Sequence, residues 1–382
     1  MTMLLSSRIK SNKKRGLSKD HGDEFRKEFF VKVIKFNQFL IKGGNWMKKF
    51  LDVIILLLLA GTIFAWSGHD ALTYYILKSL NMDFSFEVPI TVYSYENLET
   101  REYNLEKASF DDLLGKDYIP GEDNRLFKPV FENSKLENGK APIWQILSVY
   151  SYEPDLGMDQ NLELSNLQWM TGGSQGWRHM EYHLFWLRFG EVSESVAYFT
   201  ELSKKAWEKG DPYWAFRFMG RAIHYFEDIG QPYHTFPAPF CELLKLMIDM
   251  NKWMTVFTNY HLVYDYYSGY LLWNQNAKVV EAIKTAKPIK ITDPRKDALR
   301  LRIYARRKLH KIYYEMKKIM KDDLEVSSEF MPSPAYFDLL TVEGKTKKLE
   351  ELTADLLGKV ASYIKGYLIY MNEEMRWEDN LH

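Results

Sequence analysis

Residues 220–234 read Gly-Arg-Ala-Ile-His-Tyr-Phe-Glu-Asp-Ile-Gly-Gln-Pro-Tyr-His. His224 and Asp228 are four apart, so on a helix their side chains project from adjacent turns of one face. Two such groups can grip one cation. Gly230-Gln231-Pro232 then stops the helix, and His234 follows the break, where it can turn back toward the same cavity. Downstream, Asn259-Tyr260-His261-Leu262-Val263-Tyr264-Asp265 repeats the four-residue spacing of a histidine and a carboxylate. Two helices that each offer such a pair resemble the metal sites built in the cores of helical bundles. A single histidine and aspartate at this spacing is usually a surface hydrogen bond. Two pairs with a third histidine after a helix stop are far rarer by chance. The flanking residues are aromatic and aliphatic, so the ionisable groups are expected to be partly buried and to need partners. The chain holds one cysteine, Cys241. Thiolate-held zinc and internal disulfides are therefore excluded, and imidazole with carboxylate suits a hydrolytic zinc site.

The elements that must position these groups are mostly helical. Apolar periodicity predicts helices over 66–80, 143–151, 191–208, 212–229, 239–273, 277–286, 294–325 and 346–376. Gly210-Asp211-Pro212 separates two of them, with proline in the first turn of the second. Residues 84–95 look extended, with an alternation interrupted by Pro89. The polar, turn-rich stretch that follows makes 84–142 a loop-rich insertion in one all-α domain, 66–382. The basic run from Arg300 to Lys318 reads as a solvated helix face. A 15% aromatic content in 382 residues suits packed helices and wide apolar clefts.

Net charge is zero, yet it is unevenly spread. Residues 1–65 hold 13 Lys/Arg and 5 Asp/Glu, which leaves 38 basic and 46 acidic residues in the remainder. An acidic body makes a poor general nucleic-acid binder, and no stable nucleic-acid partner is expected. Residues 47–65 have the anatomy of a secretory signal: Lys48 and Lys49, the apolar run Val53–Ala60, and Ala65 at the cut. That run is short for a membrane span, which needs about 20 apolar residues. Residues 1–46 are a basic extension that makes little sense ahead of a signal, and Met47 is the expected start. The competing expectation is an uncleaved anchor over residues 50–66. On the first reading the protein is secreted or extracytoplasmic.

The segment Gly220–His234, the His261/Asp265 pair and a tryptophan after the cut resemble the zinc-dependent phospholipase C family. That superfamily also holds the single-strand-specific zinc nucleases. The resemblance covers most of Trp66 to about Gly269, and the C-terminal third matches only in being helical. It implies an all-helical fold with about three zinc ions in a cleft. One ion would be held by the free amine and carbonyl of Trp66 together with His69, although the family usually leaves a longer gap between these two. Asp228 would bridge that ion and a neighbour, which would also take His224, Asp155 and His183. His179, four residues before His183, is the rival ligand. His234, His261 and Asp265 would hold the third ion. At the last position the phospholipases more often place Glu, and the nucleases Asp.

The implied chemistry is phosphodiester hydrolysis by zinc-activated water, with Asp155 as general base as well as ligand. Arg178 and Arg221 lie near ligand segments, where either a phosphate contact or, more commonly, a structural ion pair is expected. Tyr152, Trp177, Tyr182, Phe185 and Trp186 could engage lipid at a membrane surface, although such stripes in helices are more often core. Phospholipid, cleaved at its glycerol–phosphate bond, is the favoured substrate. A single-strand nuclease or 3′-nucleotidase is the alternative within the superfamily, and a membrane-tethered, non-catalytic, zinc-stabilised helical protein is the alternative outside it.

Overall fold

The computed structural model describes residues 68–95, 130, 139–156, 175–184, 187–243, 245 and 250–380. In chain order the elements are α1 (His69–Ser79), β1 (Glu87–Pro89), β2 (Lys140–Pro142), α2 (Ile143–Tyr150), a short 3-10 turn (Glu153–Leu156), α3 (Gln175–Arg178), β3 (Glu181–Leu184), β4 (Leu187–Gly190), α4 (Val192–Glu208), α5 (Pro212–Gly230), α6 (Pro232–Thr235), α7 (Phe240–Leu243), α8 (Met250–Trp273), α9 (Ala277–Thr285), α10 (Pro294–Leu324), α11 (Pro334–Val342), α12 (Lys347–Met375) and α13 (Trp377–Asn380). The fold is all-α. Its strands form two short antiparallel pairs, β1 with β2 and β3 with β4. Residues 1–46, the signal-like segment 47–65 and Trp66 lie outside the described residues, as does most of the insertion expected over 84–142. Among the described residues no helix is long and apolar enough to cross a membrane.

Helix α5 is the centre of the fold. Asp211 caps it by accepting from the Trp214 amide, and Pro212 begins its first turn with a preset φ. Every residue from Tyr213 to Gly230 is buried. Its apolar side chains include Trp214, Phe216, Phe218, Ile223 and Phe226, each worth roughly 1.5–3 kcal/mol on full burial. A helix that is apolar on several sides needs cover on several sides. Helices α4, α2, α10 and α12 supply it.

Long helix α12 also packs on α9 and α10. Gly366 permits the approach, since a Cβ there would lie 1.8 Å from the Ile289 carbonyl oxygen. The neighbouring Lys365 ammonium donates to the carbonyls of Ile283, Lys284 and Ala286 at 2.8–3.0 Å and so caps the end of α9. The helix expected over 239–273 is described as α7 and α8. Helix α11 and the β3–β4 hairpin lie where the periodicity predicted no element.

Candidate metal centre

Four short-range devices bring the polar groups of α5 to their partners. Helix α1 enters beside α5 with His69 in its first turn. Helix α2 ends at Tyr150, next to Gly220, whose absent Cβ would stand 3.3 Å from the Leu147 carbonyl oxygen. This close approach lets the Ser151 carbonyl accept a 2.7 Å hydrogen bond from Nδ1 of His224, one turn further along α5. The 3-10 turn then delivers Asp155. Finally, Gln231 ends α5 and starts α6. Its side-chain oxygen accepts from the Tyr233 amide and its amide nitrogen donates to Asp265.

The result is a buried cluster. His69, His179, His224, Asp228 and His234 have no solvent exposure, and the Asp155 side chain has 5%. Nε2 of His224 lies 3.0 Å from Asp228 Oδ2, 3.0 Å from Nδ1 of His179 and 3.3 Å from Asp155 Oδ1. His179 Nδ1 is 2.7 Å from Asp228 Oδ2. The other Asp228 oxygen, Oδ1, turns toward His234 Nδ1 at 3.1 Å and His69 Nε2 at 3.7 Å. Beside this lies the second pair, with His261 Nε2 3.0 Å from Asp265 Oδ2 and the rings of His234 and His261 4.9 Å apart.

The donor set can be tested against a cation. His224 spends its Nδ1 proton on Ser151, so Nε2 presents a lone pair toward two carboxylate oxygens. In a dry interior those groups repel unless a proton or a cation lies among them. The Nδ1 of His234 and Oδ1 of Asp228 are close, buried and without an aligned hydrogen bond. Three sets fit a cation: His69, Asp155 and His224; His179, His224 and Asp228; and His234, His261 and Asp265. Within each, the donor atoms lie within 4.8 Å of one another. Several His/Asp groups of this chain could therefore hold a metal ion.

Electrostatics on the protein groups alone fit the same picture. Burial opposes charge on His224, but Asp228 and Asp155 outweigh it and push its pKa up to about 9. Burial likewise raises Asp228, yet His224, His179 and His234 hold it well below the usual carboxylate range. Burial, followed by the neighbouring His224, drives His69 well below its usual value, while burial drives Glu227 well above. This pair shares a proton across 2.6 Å, between His69 Nδ1 and Glu227 Oε2. Thr73 donates to the other Glu227 oxygen. With Nδ1 so engaged, Nε2 of His69 is oriented into the cluster, as is usual for histidines that bind metal.

The structure brings together His69, Asp155, His224, Asp228, His234, His261 and Asp265. One expected ligand is corrected. His183 lies on β3 and turns to Glu181 at 2.9 Å with its side chain about one-third exposed, while His179 stands in the cluster. The reason is the hairpin: strand alternation puts His183 on the Glu181 face, and His179 precedes the strand. Arg221 is a structural partner, because its Nε donates to Glu153 at 2.7 Å, and Arg217 grips the same carboxylate. Arg178, Trp177 and Tyr182 are buried. Phe185 and Trp186 fall outside the described residues.

Residues missed from the sequence are Glu227, Gln231 and the Ser151 carbonyl. Glu227 and Gln231 sit inside the quoted motif, where a charge and an amide on a buried helix end needed partners. No protein-family model matches the chain, and no curated protein matches it.

Two outcomes follow. His179→Ala should weaken metal binding by more than about tenfold, whereas His183→Ala should leave it intact, as read by metal content after dialysis. The reverse pattern would reinstate His183. For Glu153, burial opposes charge, but Arg217 and Arg221 hold its pKa at about 2, against 4.5 for a free side chain. A depressed carboxylate stabilises the fold above its unfolded pKa and loses that contribution as pH falls through the folded one. The shift is worth about 3 kcal/mol at neutral pH. Thermal melts of wild type and Glu153→Gln should therefore differ widely at pH 6 and converge as the pH falls from 4.5 toward 2. A gap that stays constant across that window would contradict the assignment.

Proposed function

We propose that the chain is an exported, zinc-dependent phosphodiesterase of the phospholipase C type that hydrolyses the glycerol–phosphate bond of phospholipids. The observation that carries the reading is the convergence of His69, Asp155, His179, His224 and Asp228 with the adjoining His234, His261 and Asp265 in the interior of an all-helical fold. Imidazole-rich sites with carboxylates and no thiolate suit zinc over calcium or magnesium, which prefer all-oxygen shells.

When bound, zinc would make water acidic near pH 7 and offset charge on a phosphoryl group. The chain's own groups do the rest. Asp155 sits on the 3-10 turn with Oδ1 3.3 Å from His224 Nε2 and Oδ2 3.7 Å from His69 Nε2, and Asp228 is turned to four histidines, so Asp155 is the carboxylate assigned to take a proton from the attacking water. Asp228 turns its two oxygens in two directions, toward His179 and His224 on one side and His69 and His234 on the other, so it would be the residue to hold two ions at once. Glu227 and the Ser151 carbonyl hold the rings of His69 and His224 in the orientation that binding needs. Tyr225 and Tyr233 pack against His179 and His261 and help to exclude water.

Substrate preference rests on charge. The acidic balance of residues 66–382 disfavours a polyanion, which leaves phospholipid ahead of nucleic acid. Asp265 supports the second reading, a single-strand nuclease or 3′-nucleotidase, because the resemblance places Asp at this position in the nucleases. Export rests on residues 47–65, with Trp66 as the new amino terminus.

Asp228→Asn should lower hydrolysis by more than about a hundredfold and remove about two metal ions per chain. Turnover should be assayed on phospholipid, single-stranded DNA and a 3′-nucleotide in parallel. Full activity in the variant would remove the bridging role. Turnover of none of the three substrates by fully metallated wild type would overturn the enzymatic reading.

A further inference from the structure

Next to the His234–His261–Asp265 group the chain collects arginines. Arg302 and Arg306 stand four apart on α10, one turn from each other on one face. Helix α10 packs on α6, which carries His234, and α6 packs on β3. Arg302 has only 9% exposure, and its Nε is buried without a hydrogen-bond partner. The Arg306 guanidinium lies 4.5 Å from the centre of the Phe236 ring, two residues after His234. Neither arginine makes an ion pair with the described residues. A third, Arg188, approaches from β4 and is already engaged by Glu181 and Glu194.

Buried guanidinium groups are normally matched by anions. Here Glu181 is the carboxylate whose charge reaches Arg302, and it is already held by Arg188 and His183. Burial, then repulsion from Arg306 and Arg188, lowers the pKa of Arg302, and burial lowers that of Arg306. The positive charge thus exceeds what the protein answers. The patch also adjoins the metal centre. Tyr182 meets Phe236 edge to face, with ring centres 5.9 Å apart, and feels the charge of Asp265.

We propose that Arg302 and Arg306 form an anion-binding subsite beside the His234–His261–Asp265 group, which selects phospholipids whose headgroup carries a second anionic group. The proposal rests on the phospholipase C reading for its substrate, and on the arginines alone for its anion. A planar guanidinium pair suits the oxygens of a phosphomonoester, and a scissile phosphate at the metal centre would leave the headgroup to reach it.

The test compares phosphatidylinositol 4-phosphate with phosphatidylinositol in mixed micelles, using zinc-loaded protein. Wild type should prefer the first by about tenfold or more in kcat/KM. In Arg302→Gln/Arg306→Gln the ratio should fall to about one, chiefly through KM, with zinc content and helical circular dichroism retained. The single variant Arg306→Gln, at the more exposed position, should give a partial loss even if the double variant folds poorly. Equal loss on both lipids, or no preference in wild type, would overturn the subsite. If neither lipid is turned over, the phospholipase reading fails, but the subsite is still tested by calorimetry with inositol 1,4-bisphosphate and inositol 1-phosphate. An arginine-dependent preference for the bisphosphate sustains it, and equal affinities sink it. A preference seen only with a 5′-phosphorylated oligonucleotide would overturn the lipid assignment.

Discussion

Charged and polar groups buried on a single helix set the terms for this fold. From Arg217 to Asp228, α5 carries Arg217, Arg221, His224, Glu227 and Asp228, all with 2% exposure or less. Apolar surroundings make each of them costly unless a partner arrives. The partners come from separate parts of the chain: Glu153 for the two arginines, Ser151 and His179 for His224, and His69 with Thr73 for Glu227. Helix α1, the end of α2, the 3-10 turn, the approach to β3, and α6 are thereby drawn to one place. Apolar packing supplies the drive to collapse. The polar groups decide which segments meet.

The two polar layers of α5 are linked. Glu153 is clamped by Arg217, itself held between the rings of Tyr150 and Trp214 at 4.2 Å from each. Two residues on, Asp155 faces His224 and His179. The ion pair that satisfies two buried arginines thus also fixes the turn that brings a carboxylate to the cluster. Around the histidines the packing is aromatic, with Phe199 stacked on Tyr225 and Tyr233 beside His261. Such walls keep the local dielectric low, which strengthens the attraction between a cation and its ligands.

Much of this was legible in the chain because it depends on local spacing. The His224/Asp228 and His261/Asp265 pairs are helix neighbours by geometry alone, and both form ion-pair contacts across one turn. Gly230-Gln231-Pro232 ends one helix, as expected, and also begins the short helix α6. What could not be read is non-local. His179 and His183 are separated by the start of a hairpin, and only its pairing with β4 decides which one faces inward. Glu227 meets its partner His69 from 158 residues away, a pairing no local spacing encodes. Helix α11, in a stretch where periodicity predicted no element, opens with Pro334 as its first residue, shortly after Pro332. Trp66 and the signal-like segment lie outside the described residues, so the part of the ligand set drawn from them rests on the resemblance.

The central claim is that the buried imidazoles and carboxylates share cations. Anomalous scattering at the zinc absorption edge, from crystals of the protein purified without chelator, measures this directly. The account predicts peaks enclosed by His69, Asp155, His179, His224 and Asp228, and another among His234, His261 and Asp265. Data with no peak at those positions, or with zinc only on the outer surface, would contradict it.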